Sequence, residues 1–356
     1  MKKTIVSITG IRPDFIRMAE IFKKLDENFN HILIHTGQHY DYSLTDVFFD
    51  QLKIRKPDFV LDCGKSSKTH YEQLSYLSTT IPLLFLENNI NPDLIVFLGD
   101  SNTSAVSLPL KKEGYKICHI EAGMRSGDKR MLEEINRTVC DHCSDLLFVY
   151  HEDYKHNLFL ENIKENVYVV GNTILEVFRK FKPLLSPPPP QKSKILVDIH
   201  RPENFKYPER VKSIIDFANK SGERYGVDVE MLYFKRLEDA LNKDKISVGN
   251  IKIIPLLGYR EYLEKLQSCK FLISDSGTGQ EEPPLLGVKV VVPRDYTERP
   301  QSYRGGCSYR LDLNGNNYED CWDWVEKSDN MDIRWLGEGD TSDKIIKRIV
   351  EYFEKN

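Results

Sequence analysis

No stretch of this 356-residue chain approaches the ~20 consecutive apolar residues of a membrane-spanning helix. The opening MKKTIVSITGIRPD carries two lysines but an apolar run too short for a secretion signal, so a cytoplasmic protein is expected. Strong charge of either sign is missing too: 50 Lys and Arg face 54 Asp and Glu, a formal charge of −4. Nothing global draws such a chain to nucleic acid or to an anionic membrane, and an anionic ligand must be held locally. The cysteines lack a disulfide framework. They are odd in number, seven, and sit scattered at Cys63, Cys118, Cys140, Cys143, Cys269, Cys307 and Cys321, so reduced thiols are expected. Cys140 and Cys143 form a C-x-x-C around His142, yet no second pair completes a four-ligand zinc site, and no metal is expected. Neither the Gly-Lys-Ser/Thr ending of a P-loop nor a G-x-G-x-x-G fingerprint is present, which excludes the usual motifs for ATP hydrolysis and nicotinamide chemistry; no cofactor is expected.

What is present is a regular alternation. Short β-rich apolar runs exchange with longer amphipathic segments, the pattern of parallel sheets covered on both faces. In the first half the runs are TIVSITG (4–10), HILIHTG (31–37), DLIVFLGD (93–100), YKICHIE (115–121), DLLFVY (145–150) and VYVVGN (167–172). A helix to about Lys182 and the run SPPPP (186–190) follow, and the prolines, which continue neither helix nor central strand, are the strongest linker signal. The alternation then restarts with KILVDIH (194–200), VDVEMLYF (227–234), NIKIIPL (250–256), KFLISDS (270–276) and VKVVVP (288–293). The length also exceeds one core of roughly 100–200 residues. The expected fold class is α/β, two Rossmann-like doubly wound domains facing an interdomain cleft. The first spans 1–172 plus a returning C-terminal helix at about 341–356, with Ser342 as its N-cap; the second spans 173–340.

Chemistry-bearing residues concentrate just after these strands. Gly10, Arg12, Pro13, Asp14 and Arg17 follow the first, Asp100 to Thr103 the third, Glu121, Gly123 and Arg125 the fourth. In the second half His200, Arg201, Glu203 and Asn204 follow one strand and Asp275 to Glu282 another. Loops on purely structural duty have no need of so many acids and bases at one sheet edge. SDSGTGQEE (274–282) leads a strand through Ser-Gly-Thr-Gly into an expected helix, a way to hold phosphate on backbone N–H groups without a lysine, and one of its glutamates could clamp a ribose diol.

GIRPDFIRM, HTGQHYD, GDSNT, HIEAGMRSGDKRMLEEINR, VVGNT, HRPEN and DSGTGQEE followed by PRDYTERPQ occur in one order along nearly the whole chain. In these motifs the sequence resembles the non-hydrolysing UDP-N-acetylglucosamine 2-epimerases. The resemblance implies two Rossmann-like domains of the GT-B type, shared with UDP-sugar glycosyltransferases, a homodimer, and interconversion of UDP-GlcNAc and UDP-ManNAc. In that family UDP leaves as the C2 proton is lost, giving 2-acetamidoglucal, and re-adds as C2 is protonated from the other face. By motif position Asp100, Glu121 and Glu133 match the catalytic acids, while Arg12 and His200 match diphosphate contacts. Arg17 stands where lysine is frequent and is assigned electrostatics, since Arg is a poor proton donor. Ser276, Gly277 and Thr278 match the phosphate turn, Glu282 the ribose clamp and Tyr262 the aromatic position near the uracil.

Several positions depart from the family. Ile11 replaces Thr, Leu132 replaces Pro, Thr278 replaces Gly, and MLYFKR (231–236) stands where a Pro-Val-His strand end helps bind a second, activating UDP-GlcNAc. Arg17, Thr278 and LDENFNHILIHTGQHYDYSL also resemble relatives that epimerise UDP-2-acetamido-2,6-dideoxy-L-hexoses, the alternative substrate class. A GT-B glycosyltransferase, a hydrolysing epimerase and a silent UDP-sugar sensor are the remaining readings. Three carboxylates from separate loops of the first domain argue against the glycosyltransferase and the sensor, and the agreement of the motifs disfavours the hydrolysing enzyme.

Overall fold

The structure, a computed structural model, describes residues 2–38, 51–327 and 330–355. His39 to Leu44 of the quoted motifs and the Arg12 side chain lie outside the described residues. Backbone contacts divide the chain into two units, Met1–Arg179 with Leu336–Asn356, and Lys180–Trp335. The division at Arg179 falls ahead of the proline run, whose Ser186 binds Glu264 Oε1 through its N–H and its hydroxyl, both at 3.0 Å, within the second unit.

Among the described residues of the first unit seven strands form one parallel sheet: β1 (Thr4–Thr9), β2 (Asn30–His35), β3 (Phe59–Val60), β4 (Leu94–Leu98), β5 (Ile117–Ile120), β6 (Leu146–Val149) and β7 (Val167–Val169). Their order is β3-β2-β1-β4-β5-β6-β7. The central strands read as unbroken apolar runs because helices cover both faces. Val6 and Ile8 are buried alongside Ile34, Ile95 and Phe97. The strand β3 was not legible in the sequence, since its two edge residues carry no periodicity.

The first helix, Arg12–Asn28, starts with Pro13 in its opening turn. Asp14 closes that turn by accepting the N–H groups of Gly10 (2.8 Å) and Ile11 (3.1 Å). The C-terminal helix, Thr341–Lys355, packs on this one: Lys24 pairs with Asp343, and the rings of Phe29 and Phe353 meet edge-on at 6.2 Å. Ser342 is not its N-cap. It is the second residue of the helix, and its N–H and hydroxyl both donate to the Glu176 carboxylate (2.9 and 2.6 Å), a cap supplied from 166 residues earlier. The chain returns to this unit through a backbone crossing at Gly171 (φ +87) and Gly337 (φ +91), where Asn172 N–H donates to Leu336 O at 2.8 Å. A Cβ on Gly337 would lie 2.8 Å from the Gly171 Cα, so only glycine permits the crossing.

The second unit repeats the plan with six parallel strands: β8 (Lys194–Asp198), β9 (Asp228–Leu232), β10 (Lys252–Ile254), β11 (Cys269–Ser274), β12 (Lys289–Val292) and β13 (Ser308–Arg310). Their order is β10-β9-β8-β11-β12-β13. One face is sealed by Phe217 stacked on Trp322 (5.6 Å, 9°), with the indole N–H donating to Ser221 Oγ at 2.8 Å. The edge strand β13, three residues long, was also missed.

Candidate active site

Strand order reverses between β1 and β4 in one sheet and between β8 and β11 in the other. At such a switch point the two neighbouring loops leave in opposite directions and open a crevice at the carboxyl ends of the strands. Residues 10–17 and Asp100 follow β1 and β4; His200 and residues 275–282 follow β8 and β11. Positions 12, 17 and 100 therefore lie at the switch point of the first unit and 200, 276–278 and 282 at that of the second, whereas Glu121 and Glu133 follow β5 and Tyr262 lies on the helix between β10 and β11.

In the first unit Glu121 directly follows β5 with φ +72, a left-handed conformation that costs a non-glycine residue roughly 1–2 kcal/mol. Its carboxylate, 5 % exposed, is paired with Arg17, itself 6 % exposed. The bare backbone of Gly99 (φ +71) lies against it: a Cβ there would sit 3.2 Å from Glu121 Oε2. Gly99 leads directly into Asp100, whose carboxylate pairs with the buried Arg137 and whose carbonyl accepts Asn136 Nδ2 at 3.0 Å. Arg137 also holds Glu134 at 3.1 Å. Asp100, Glu121 and Arg17 are thus gathered at one edge. Glu133, half-buried, is the second residue of the helix Leu132–Cys143, one turn before Arg137.

The neighbouring Glu134 has a different task. It accepts the Ser126 N–H (3.1 Å), the Ser126 hydroxyl (3.0 Å) and the Gly127 N–H (3.0 Å), which shapes the loop between β5 and the helix. Arg125 binds Glu161 (2.7 Å) and Asp141 (2.8 Å), and Arg130 binds Asp128 (2.9 Å), so both cations serve the loop. Asp14 was noted only as one of the residues after the first strand. Burial pushes its carboxyl up to about 7 against the two N–H groups it accepts, with the Asp100 charge adding to the rise and Arg17 opposing it. Cys140 and Cys143 are buried thiols, like the other five cysteines. Among the described residues no group of three or more His, Cys, Asp or Glu is placed to hold a metal ion, and no helix is long and apolar enough to cross a membrane.

In the second unit His200 is set by Asp275, which is fully buried. Asp275 accepts the N–H of His200 (2.9 Å), the N–H of Arg201 (3.1 Å) and Asn204 Nδ2 (2.8 Å). The imidazole Nδ1 lies 3.5 Å from Asp198 and 3.6 Å from Asp275, and the Phe234 ring packs against it at 5.4 Å. Arg236 donates to the His200 carbonyl at 2.8 Å. Burial opposes the charged ring, but the two carboxylates outweigh it, and the His200 pKa lies above its usual value. Tyr262 is half-buried within reach of the charges of Asp198 and Glu282; burial first, then these charges, push its hydroxyl pKa up. Asp198 thus lies near both Tyr262 and His200, and Glu282 near Tyr262.

The turn after β11 differs from the expected strand-to-helix entry. Thr278–Gln280 is a single 3₁₀ turn and Glu282–Leu285 a single α-turn, too short to build a useful dipole. What the turn offers is hydroxyls and backbone: Ser276 Oγ and Thr278 Oγ1 share a hydrogen bond at 3.0 Å. Glu281 is fully buried against Arg299 Nε (2.6 Å), and Glu282, also buried, has its charge near the Tyr259 and Tyr262 hydroxyls. Arg299 also pairs with Glu298, and Glu298 with Arg294 at 3.1 Å. This buried ladder fills the space behind Gly277, where a Cβ would lie 2.5 Å from Arg299 Nη1. Arg137, Asp275 and Arg299 stand in the quoted motifs, but their supporting contacts escaped the sequence reading because each reaches a partner distant in the chain.

Two parallel, doubly wound α/β units define a protein of the GT-B class. The chain superposes on the Phytolacca americana UGT2 complexed with UDP-2fluoro-glucose and pterostilbene with a TM-score of 0.53 at 12 % identity, covering 97 % of this chain and 89 % of that one, a likeness of fold alone. Residues 23–350 match the family described as UDP-N-acetylglucosamine 2-epimerase. The chain belongs to that family and is an isomerase acting on a UDP-sugar. It is 34 % identical over 358 residues to a UDP-N-acetylglucosamine 2-epimerase homolog of Methanococcus maripaludis, covering 96 % of this chain and 98 % of that one. A Pseudomonas aeruginosa UDP-2,3-diacetamido-2,3-dideoxy-D-glucuronate 2-epimerase is 32 % identical over 304 residues, 83 % of this chain and 84 % of that one. The crystal structure of Methanocaldococcus jannaschii UDP-GlcNAc 2-epimerase in complex with UDP-GlcNAc and UDP matches with a TM-score of 0.87 at 31 % identity, covering 98 % of this chain and 99 % of that one.

Proposed function

We propose that the protein interconverts UDP-GlcNAc and UDP-ManNAc without net hydrolysis. The C2 proton of the sugar is weakly acidic, and its removal is eased when the anomeric C–O bond breaks in the same direction. The electron pair of the C2–H bond becomes the C1–C2 double bond of 2-acetamidoglucal, and the C–O pair leaves on UDP. Re-addition of UDP at C1 with protonation of C2 on the opposite face gives the epimer. Asp100, Glu121 and Glu133 are the acid and base groups of this scheme. Arg12 and His200 stabilise the charge that develops on the leaving diphosphate, with Ser276, Gly277 and Thr278 on its phosphates, Glu282 on the ribose and Tyr262 near the uracil.

The observation that carries this reading is Glu121, held in a left-handed turn against Gly99, the residue before Asp100, with Arg17 as its ion partner. An arginine cannot accept a proton, so one taken from C2 stays on the carboxylate until it is returned or exchanged. A UDP-2-acetamido-2,6-dideoxy-L-hexose is the second substrate reading; the name of the Pseudomonas aeruginosa relative supports a shared C2 step on sugars that differ elsewhere. The proposal includes a cytoplasmic homodimer serving surface-polysaccharide precursors. Incubation with UDP-GlcNAc in deuterium oxide tests it: NMR is expected to show UDP-ManNAc with deuterium at C2. An inert UDP-GlcNAc, with exchange in a UDP-6-deoxy-L-HexNAc, would move the assignment to the second substrate.

A further inference from the structure

We propose that His119 is a buried imidazolium that positions the three candidate carboxylates, a role that rests on the acid–base assignment above. His119 lies in β5 and is wholly buried. Its Nδ1 is 2.6 Å from Asp141 Oδ1, and its Nε2 is 2.7 Å from the Gly99 carbonyl oxygen. A carboxylate and a carbonyl only accept, so both ring nitrogens donate and the ring carries both protons. Burial opposes that charge, while the Cys140 sulfur and the Asp141 carboxylate favour it and hold the ring's pKa well above its ordinary value.

The charge is compensated along a chain. Asp141, also wholly buried, takes Arg125 at 2.8 Å on its second oxygen, and Arg125 binds Glu161 at 2.7 and 2.8 Å. Imidazolium, carboxylate, guanidinium and carboxylate alternate from the core to half-buried Glu161, and deleting one member leaves a buried charge without its counterpart.

What this pair touches gives it a role in positioning. Gly99 is the residue before Asp100, and its carbonyl is held by His119 while its own φ is +71. Asp141 Oδ2 accepts the Gly123 N–H at 3.1 Å, two residues after Glu121, which has φ +72. Asp141 itself belongs to the helix Leu132–Cys143 that carries Glu133. The three segments bearing the carboxylates meet at one imidazolium–carboxylate pair, and one of them holds a non-glycine residue, Glu121, in a left-handed turn that persists only when neighbours over-determine it. A neutral ring, with one N–H, could hold Asp141 or Gly99 but not both.

The test uses the full chain labelled with ¹⁵N-histidine. One of its nine histidines is expected to show two protonated ring nitrogens from about pH 6 to about pH 9, far above the usual histidine pKa of about 6.5. That signal should vanish or shift in Asp141→Asn. In the same variant the turnover number for epimerisation should fall by about a hundredfold, the size of a small misplacement of reacting groups, with UDP affinity within about twofold of wild type. No doubly protonated histidine at about pH 9 in the wild type overturns the proposal, and that spectrum needs no variant to fold. A folded Asp141→Asn protein with wild-type turnover, or one that loses UDP binding in step with turnover, overturns it as well. Wild-type protein that exchanges no C2 proton in any UDP-HexNAc refutes the proposed function instead, and leaves the ring's charge to be read separately.

Discussion

The two units share one strand plan and put opposite chemistry on it. At the edge of the first, Asp100, Glu121 and Glu133 are acids, two of them held by the arginines Arg137 and Arg17. At the edge of the second, the turn offers hydroxyls and backbone, the carboxylates behind His200 raise its pKa, and the paired charges of Arg294, Glu298, Arg299 and Glu281 are buried beneath. A shared strand order therefore says little about function; the loops at its switch point do. Under the proposed function the contrast is a division of labour, proton transfer by one set of residues and UDP recognition by the other.

The largest expected effect comes from Glu121→Gln, which should lower C2 exchange by about 10³-fold, within the usual range for a lost acid–base group. UDP affinity by calorimetry should stay within about twofold of wild type; an equal loss in both would break the division. Next is Asp275→Asn, which disturbs three hydrogen bonds and one of the charges facing His200. UDP affinity should fall about tenfold, the worth of one charge-assisted hydrogen bond. The pH profile sharpens this prediction. The His200 pKa is raised, so its contribution to UDP binding is complete at low pH and is lost as pH rises through that raised value. In Asp275→Asn the loss should move down toward about 6.5.

Gly277→Ala should act on the second unit alone. The backbone accepts alanine, but the methyl group meets the buried Arg299 guanidinium, and a destabilisation of about 1–3 kcal/mol with weaker UDP binding is expected in calorimetric melting. The smallest effect on turnover is expected from Asp14→Asn, which should change the pH dependence of stability in the first unit. The Asp14 carboxyl is raised from 3.8 to about 7, so its protonated form is the one the fold prefers. Its contribution is full below the unfolded value and is lost as pH climbs from about 4 to about 7. Urea midpoints of wild type and Asp14→Asn should therefore converge differently across that window and run parallel above it.

Much of the fold was legible because central parallel strands are buried on both faces and must be written as apolar runs. The edge strands Phe59–Val60 and Ser308–Arg310 were not, since two or three residues hold no period. Candidate site residues were legible as motifs after strands, whereas their supports were not. Nothing local in LEEINR says that Glu134 folds back on Ser126 while Arg137 reaches Asp100, 37 residues earlier. The Ser342 expectation failed for the same reason, with Glu176 supplying the cap from a distant helix. His119 and Asp141, apart by 22 residues, look like ordinary members of a strand and a helix until the sheet brings them together.

The division of labour requires that UDP departs while the first unit's carboxylates work on C2. The most direct test is UDP-GlcNAc carrying ¹⁸O in the bond between the anomeric carbon and the β-phosphate, followed by ³¹P NMR during epimerisation. The account predicts that the label scrambles into the non-bridging β-phosphate positions as UDP-ManNAc forms. Epimerisation with the label left wholly in the bridge would contradict it.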